Sequence, residues 1–103
     1  MKIKQVSIKG VKHVVIKDPT FSGCIAVPIE PGESDFASPG NMWSWDGNVE
    51  APTLQPSLKC NQDHFNVTNG TIVFHGDAKH QNAGKTIPMP DLGDLADCWE
   101  DRP

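Results

Sequence analysis

Between two alternating segments, His64 to Thr68 and Thr71 to His75, the chain places Asn69-Gly70. This dipeptide is preferred in two-residue type I′ hairpins, where both turn positions require a positive φ. So short a turn fixes a register: Thr68 opposite Thr71, Val67 opposite Ile72, Phe65 opposite Phe74 and His64 opposite His75. Because strand side chains alternate between faces, Phe65, Val67, Ile72 and Phe74 form an apolar face. His64 and His75 meet on the other face with Cβ atoms about 5 Å apart.

The rest of the chain reads as strand and turn as well. Ile3 to Ile8 and Val11 to Ile16 are β-branched runs on either side of Gly10, and Ile25, Val27 and Ile29 alternate strictly. Pro28 confines that third strand to an edge or an irregular position. Glu30 to Asn41 reads as a surface loop, Asp46-Gly47 as a hairpin-type turn, and Pro52 and Pro56 bracket an extended segment. Nine Gly and nine Pro in 103 residues, with 37% apolar residues, fit many turns around a thin core. The expected fold is mainly β: one small domain over residues 1–103, an antiparallel sheet or open barrel with one short C-terminal helix. That helix, or tail, falls in residues 91–103, where Leu92, Leu95, Ala96 and Trp99 share a stripe and Asp91 can cap it. The stripe must be buried, on the sheet or in a partner.

Charge is unevenly spread. Lys2, Lys4, Lys9, Lys12 and Lys17 lie in a first segment without acids, and Asp91, Asp94, Asp97, Glu100 and Asp101 lie at the other end, within a net charge of −4. Alternating lysines suit the solvent face of an edge strand. With no arginine cluster, general nucleic-acid binding is disfavoured. No apolar stretch reaches the about 18 residues that span a bilayer, so no membrane association and a cytoplasmic location are expected. Cys24, Cys60 and Cys98 are odd in number and far apart, which fits a reducing compartment.

Cys60, His64, His75 and His80 fall within 21 residues and supply ligand types that suit zinc. The same residues also read as a polar surface pair, a small buried thiol and a loop histidine. Trp43 and Trp45 share a strand face, and with Trp99 they are candidates for a binding surface, core packing being the other use. Asp77 and His80 suggest an acid–base pair, but no serine or cysteine sits in a nucleophile elbow and no phosphate-binding glycine loop is present. No catalytic residue is assigned.

The elements Trp43-Ser-Trp45-Asp46-Gly47, Pro52-Thr53, Pro56-Ser57, His64, Gly70-Thr-Ile72-Val-Phe74, Asp77, His80 and Ala83-Gly84-Lys-Thr-Ile-Pro88-Met-Pro90 occur in this order. Across roughly residues 21–92 they resemble an uncharacterised family of small phage- and prophage-encoded proteins. The resemblance implies a zinc-binding Cys/His set, depleted here: Phe21, Asp63 and Ala78 stand where family cysteines would fall. It gives Cys24, Cys60, His64 and His80 as the preferred quartet, with His75 in reserve and zinc as the cofactor. The function it implies is a non-enzymatic phage-type accessory protein, zinc-stabilised, that binds a protein partner and inhibits a host or defence protein. A small metal-dependent hydrolase, with Asp77 as base, and a virion structural component are the alternatives.

Overall fold

The computed structural model describes residues 1–20, 22–34, 36, 42–60, 63–76 and 83–103, and of Cys60 the backbone alone. Two antiparallel sheets face each other across one core. The first is built from β1 (Ile3–Ile8), β2 (Val11–Lys17) and β3 (Cys24–Pro28), in that order across the sheet. The second holds β4 (Ser44–Trp45), β5 (Leu54–Cys60), β6 (Asp63–Thr68), β7 (Thr71–Phe74) and β8 (Thr86–Pro88), also in chain order. Both sheets are open, and no closed barrel is formed among the described residues. Pro28 lies on an edge strand, where its missing N–H leaves no ladder position unfilled.

Turn chemistry sets the pairings. Asn69 and Gly70 have φ of 47° and 75°, the two left-handed positions of a type I′ turn, and Thr68↔Thr71, Val67↔Ile72 and Phe65↔Phe74 follow. Lys9 and Gly10, at 52° and 77°, do the same for β1 and β2. Gly70 is tied to its position from outside as well, since a Cβ there would come within 3.0 Å of the Ala51 Cα. The Asp46-Gly47 segment is not a tight turn. It opens a longer connection to β5 in which the Asp46 carboxylate accepts the N–H groups of Asn48 and Thr53, and the Asn48 side chain accepts those of Glu50 and Ala51.

Alternation then divides the apolar residues between two places. Ile3, Val14, Ile16 and Val27 of the first sheet meet Leu54, Leu58, Phe65, Val67, Ile72 and Phe74 of the second, with Met89 closing the layer. Val6, Ile8 and Val15 point the other way, out of the sandwich. The C-terminal segment covers them: Leu92 is 2% exposed against them, and Leu95, Ala96 and Trp99 pack alongside. The apolar stripe expected for residues 91–103 is therefore satisfied within the chain. Its geometry is a 3-10 helix, Gly93–Cys98, rather than an α-helix. Leu92 occupies the N-cap position and makes no side-chain cap, while Asp91 Oδ1 accepts the Gly93 N–H at 2.8 Å from one residue further back.

The uneven charge is resolved by the same docking. Lys4 Nζ donates to the carbonyls of Ala96 and Trp99, at 2.8 and 2.6 Å, and Lys2 Nζ to that of Met89. Arg102 bridges in parallel to Ile8, with hydrogen bonds to Ser7 and Lys9, and the Asp101 carboxylate accepts the Ser7 N–H. Hence Lys2 and Lys4 fasten the C-terminal segment rather than merely facing solvent, and that segment covers the edge of β1.

Two consequences are measurable. Trp99 packs on this outer face, tilted 5.6 Å from Phe36 and with the Arg102 guanidinium 4.7 Å above its ring. Trp99→Ala should lower the unfolding free energy by about 2–3 kcal/mol in urea titrations at unchanged m-value. Asp91 is the second case: the Gly93 N–H and then the terminal ammonium of Met1 hold its carboxyl below its ordinary value of 3.8. A carboxyl depressed on folding adds stability above its unfolded pKa and loses it as the pH falls through the folded one. The melting-temperature advantage of the native chain over Asp91→Asn should accordingly be present at neutral pH and shrink below about pH 4.

Candidate functional site

On its outer face the second sheet carries a row of polar side chains spanning three strands. Ser57 is on β5, His64 and Asn66 are on β6, and His75 directly follows β7. The expected juxtaposition of His64 and His75 is present, closed by a 2.8 Å hydrogen bond from the His75 N–H to the His64 carbonyl. Their rings stack with centroids 3.9 Å apart and planes 11° from parallel.

Ser57 joins this row as the outward-facing neighbour of Leu58, at the end of an irregular stretch of β5. Leu54 pairs with Val67 and Leu58 with Phe65, so three residues of β5 oppose Asn66 alone. Both leucines stay in the core, and the extra length between them carries Ser57 toward β6. Its Oγ lies 3.0 Å from His64 Nε2, and its carbonyl accepts the Trp43 indole N–H at 3.3 Å. His75 Nε2 donates to Asn66 Oδ1 at 2.6 Å. With the proton of neutral His64 on Nδ1, Nε2 accepts the Ser57 hydroxyl proton, the arrangement by which an imidazole activates a serine. Ser57 and His64 are both half-buried and so reachable from solvent.

A second serine–histidine contact lies on the other sheet and has a different character. His13 is 0% exposed. Its Nδ1–H donates to the Val11 carbonyl and its Nε2 accepts from Ser34 Oγ, both at 2.8 Å. Ser34 Oγ also accepts the Phe36 N–H, and the Phe36 ring meets His13 edge-on. Both ring nitrogens of His13 are thus engaged in holding the segment after β3 against the sheet, and its ring is buried where that of His64 is half-exposed.

Of the metal set expected from the sequence, Cys24 stands apart from His64 and His75. Cys24 packs on the outer face of the first sheet, with Val15 and Trp99, whereas His64 and His75 lie on the outer face of the second. The whole core separates them, and stacked sheets alone stand about 10 Å apart. The two histidines stack ring on ring, with Ser57 beside His64 and Asn66 beside His75. His80 and the Cys60 side chain lie outside the described residues, as does Asp77. Among the described residues no group of three His, Cys, Asp or Glu could hold a metal ion. Burial pushes the Cys24 thiol up, against the lowering effect of the Trp99 indole and of Lys17. That is the mark of an inert packed thiol.

Nor do the tryptophans form an exposed platform. Trp43 and Trp45 are half-buried against the core, with indole N–H groups donated to the Ser57 and Asn48 carbonyls, and Trp99 belongs to the C-terminal packing. Ser57 was missed because its environment is made by strand pairing. The available clue was a serine directly after a strand proline, seven residues before a histidine.

Comparison with known proteins bears on what the Ser57–His64 contact is for. Residues 11–75, well over half of the chain, match the family described as bacterial ubiquitination-like system serine protease (BubE). The chain belongs to the BubE family. No curated protein and no solved structure matches it. The BubE match overturns the reading of a non-enzymatic binding module, and with it the inhibitor, the metal-dependent hydrolase and the virion component. It carries no information on phage origin, on zinc or on the Trp-x-Trp-x-Gly pattern itself. No helix among the described residues is long and apolar enough to cross a membrane.

The thiols offer a check on this arrangement that does not depend on activity. Cys98 is exposed and Cys24 is half-buried with a raised pKa. Iodoacetamide titration followed by peptide mass spectrometry should modify Cys98 well before Cys24 in the folded protein, with the difference abolished in denaturant.

Proposed function

We propose that this chain is a serine peptidase acting on a protein of a bacterial ubiquitination-like system, with Ser57 as nucleophile and His64 as general base. The observation that carries the reading is the 3.0 Å contact of Ser57 Oγ with His64 Nε2 on an accessible sheet face, together with the family's description as a serine protease. Membership in such a system also supports a protein, rather than a small molecule, as the partner.

The chemistry follows from the two side chains. Ser57 Oγ attacks the scissile carbonyl carbon as its proton passes to His64 Nε2, giving a tetrahedral intermediate. Collapse breaks the carbon–nitrogen bond; the departing amine takes the proton from His64, and the acyl group remains on Ser57 as an ester. Water then attacks the ester, losing a proton to His64, and the tetrahedral adduct returns that proton to the Ser57 oxygen as the acid leaves.

A fluorophosphonate probe tests the pair without knowledge of the substrate, since a serine forms an oxygen–phosphorus bond with it and expels fluoride only when activated. Peptide mapping should place the label on Ser57, and Ser57→Ala should abolish it at unchanged melting temperature. His64→Ala should slow it by about 10²- to 10⁴-fold. Label on Ser34 with dependence on His13, or no serine labelled, would overturn the proposal.

A further inference from the structure

We infer that the cleft between β4 and β5 receives a basic side chain of the substrate, and that Asp46 selects it. This rests on the reading of Ser57 as nucleophile and names what stands next to the bond that is cut. Ser44, Trp45, Asp46, Thr53 and Gln55 line a depression of about 240 Å³. The register pairs Ser44 with Gln55 and Trp45 with Leu54. Leu54 is buried in the core, so by alternation Ser44, Asp46, Thr53 and Gln55 turn to the outer face, the one that carries Ser57 and His64. Gln55 precedes Ser57 by two residues, a span of at most about 7 Å of extended chain. Ser57 thus has the histidine on its β6 side and the cleft on its β4 side.

Size and lining narrow the occupant. Drug-sized ligands fill pockets of about 300–1,000 Å³, so this cleft suits one side chain rather than a whole small molecule. An extended substrate lying over Ser57 advances about 3.3 Å per residue, which puts the occupant within about two residues of the scissile bond. Asp46 supplies the formal charge of the lining. Its Oδ1 accepts the N–H groups of Asn48 and Thr53, at 3.1 and 3.2 Å, which fixes the carboxylate before any ligand arrives. Thr53 Oγ1 is itself taken up by the Asn69 N–H. Among the described residues, Asp46 Oδ2, the Ser44 hydroxyl and the Gln55 amide have no partner. A charged acceptor that is held in place and still unsatisfied matches lysine or arginine, which bring donors and the opposite charge. Beyond Ser57 the sign reverses, since exposed Lys59 stands opposite His64 in the register. A basic side chain is therefore attracted toward one end of β5 and repelled from the other, which sets the side of Ser57 on which it lies.

Fluorophosphonates with a short alkyl tail ending in an ammonium, a methyl or a carboxylate test the cleft on the reacting enzyme. The ammonium probe should label Ser57 about 3- to 30-fold faster than the methyl probe at low concentration, the scale of a hydrogen-bonded charge pair at a partly exposed site. The carboxylate probe should be slowest. Asp46→Asn keeps Oδ1 as an acceptor for Asn48 and Thr53 while removing the charge. It should lose the preference for the ammonium probe at unchanged melting temperature. ¹H–¹⁵N spectra read the same cleft without reaction. A short blocked peptide with one central lysine, at millimolar concentration, should shift the amides of Ser44, Thr53 and Gln55 in the native chain and in Ser57→Ala alike. The norleucine counterpart should not, and Asp46→Asn should abolish the shifts. Where Ser57 reacts, equal rates for the ammonium and methyl probes, a preference that survives Asp46→Asn, or fastest labelling by the carboxylate probe would overturn the inference. Where no serine reacts, the peptidase reading fails and the spectra alone decide: lysine shifts that depend on Asp46 keep the cleft as a site for a basic side chain, and their absence removes it.

Discussion

The second sheet depends on the register imposed by a two-residue turn. A strand repeats every two residues, so a slip of one position between β6 and β7 would exchange their faces completely. Phe65, Val67, Ile72 and Phe74 would then meet water, and His64, Asn66 and His75 would be driven into the core. Burial of each large apolar side chain contributes about 1.5–3 kcal/mol, so the correct register wins by a wide margin. The stability of the inner face and the alignment of the outer one are therefore a single constraint. No separate device is needed to bring the two imidazoles together.

What the turn cannot do is bring a serine to His64, and the strand that carries Ser57 is irregular. A regular β5 could keep Leu54 and Leu58 inside, but its side chains would meet those of β6 in plain alternation. The extra residues opposite Asn66 break the alternation locally while leaving both leucines in place. Ser57 is brought to a histidine one strand away, and the Trp43 indole holds its carbonyl from the other side. A bulge beside a site, re-aiming one side chain without cost to the core on either flank, is a recurrent use of this feature.

This division explains what could be read from the sequence. The β6–β7 hairpin, its two faces, the strands flanking Gly10 and the edge position of Pro28 rest on local patterns, and local patterns are printed in the chain. The burial of Leu92, Leu95 and Trp99 was likewise readable from their spacing. The Ser57–His64 pair was not, because its geometry comes from an irregular strand pairing that leaves no periodic trace. The separation of Cys24 from His64 and His75 was hidden for a related reason: spacing puts them on strands, but nothing in it says that two sheets intervene. The roles of Lys2 and Lys4 were hidden by distance, since their acceptors lie more than 80 residues away.

The docking of the C-terminal segment on the first sheet also bears on the order in which the chain can fold. β1, β2 and β3 are neighbours in sequence and can pair as soon as they are made, yet the cover for Val6, Ile8 and Val15 comes from residues 92–102. During synthesis at about 5–20 residues per second, the three-stranded sheet would stand for several seconds with an uncovered apolar face and an open β1 edge. Such surfaces are where nascent chains associate wrongly. The interval is set by connectivity rather than by stability, and strengthening the final core would not shorten it.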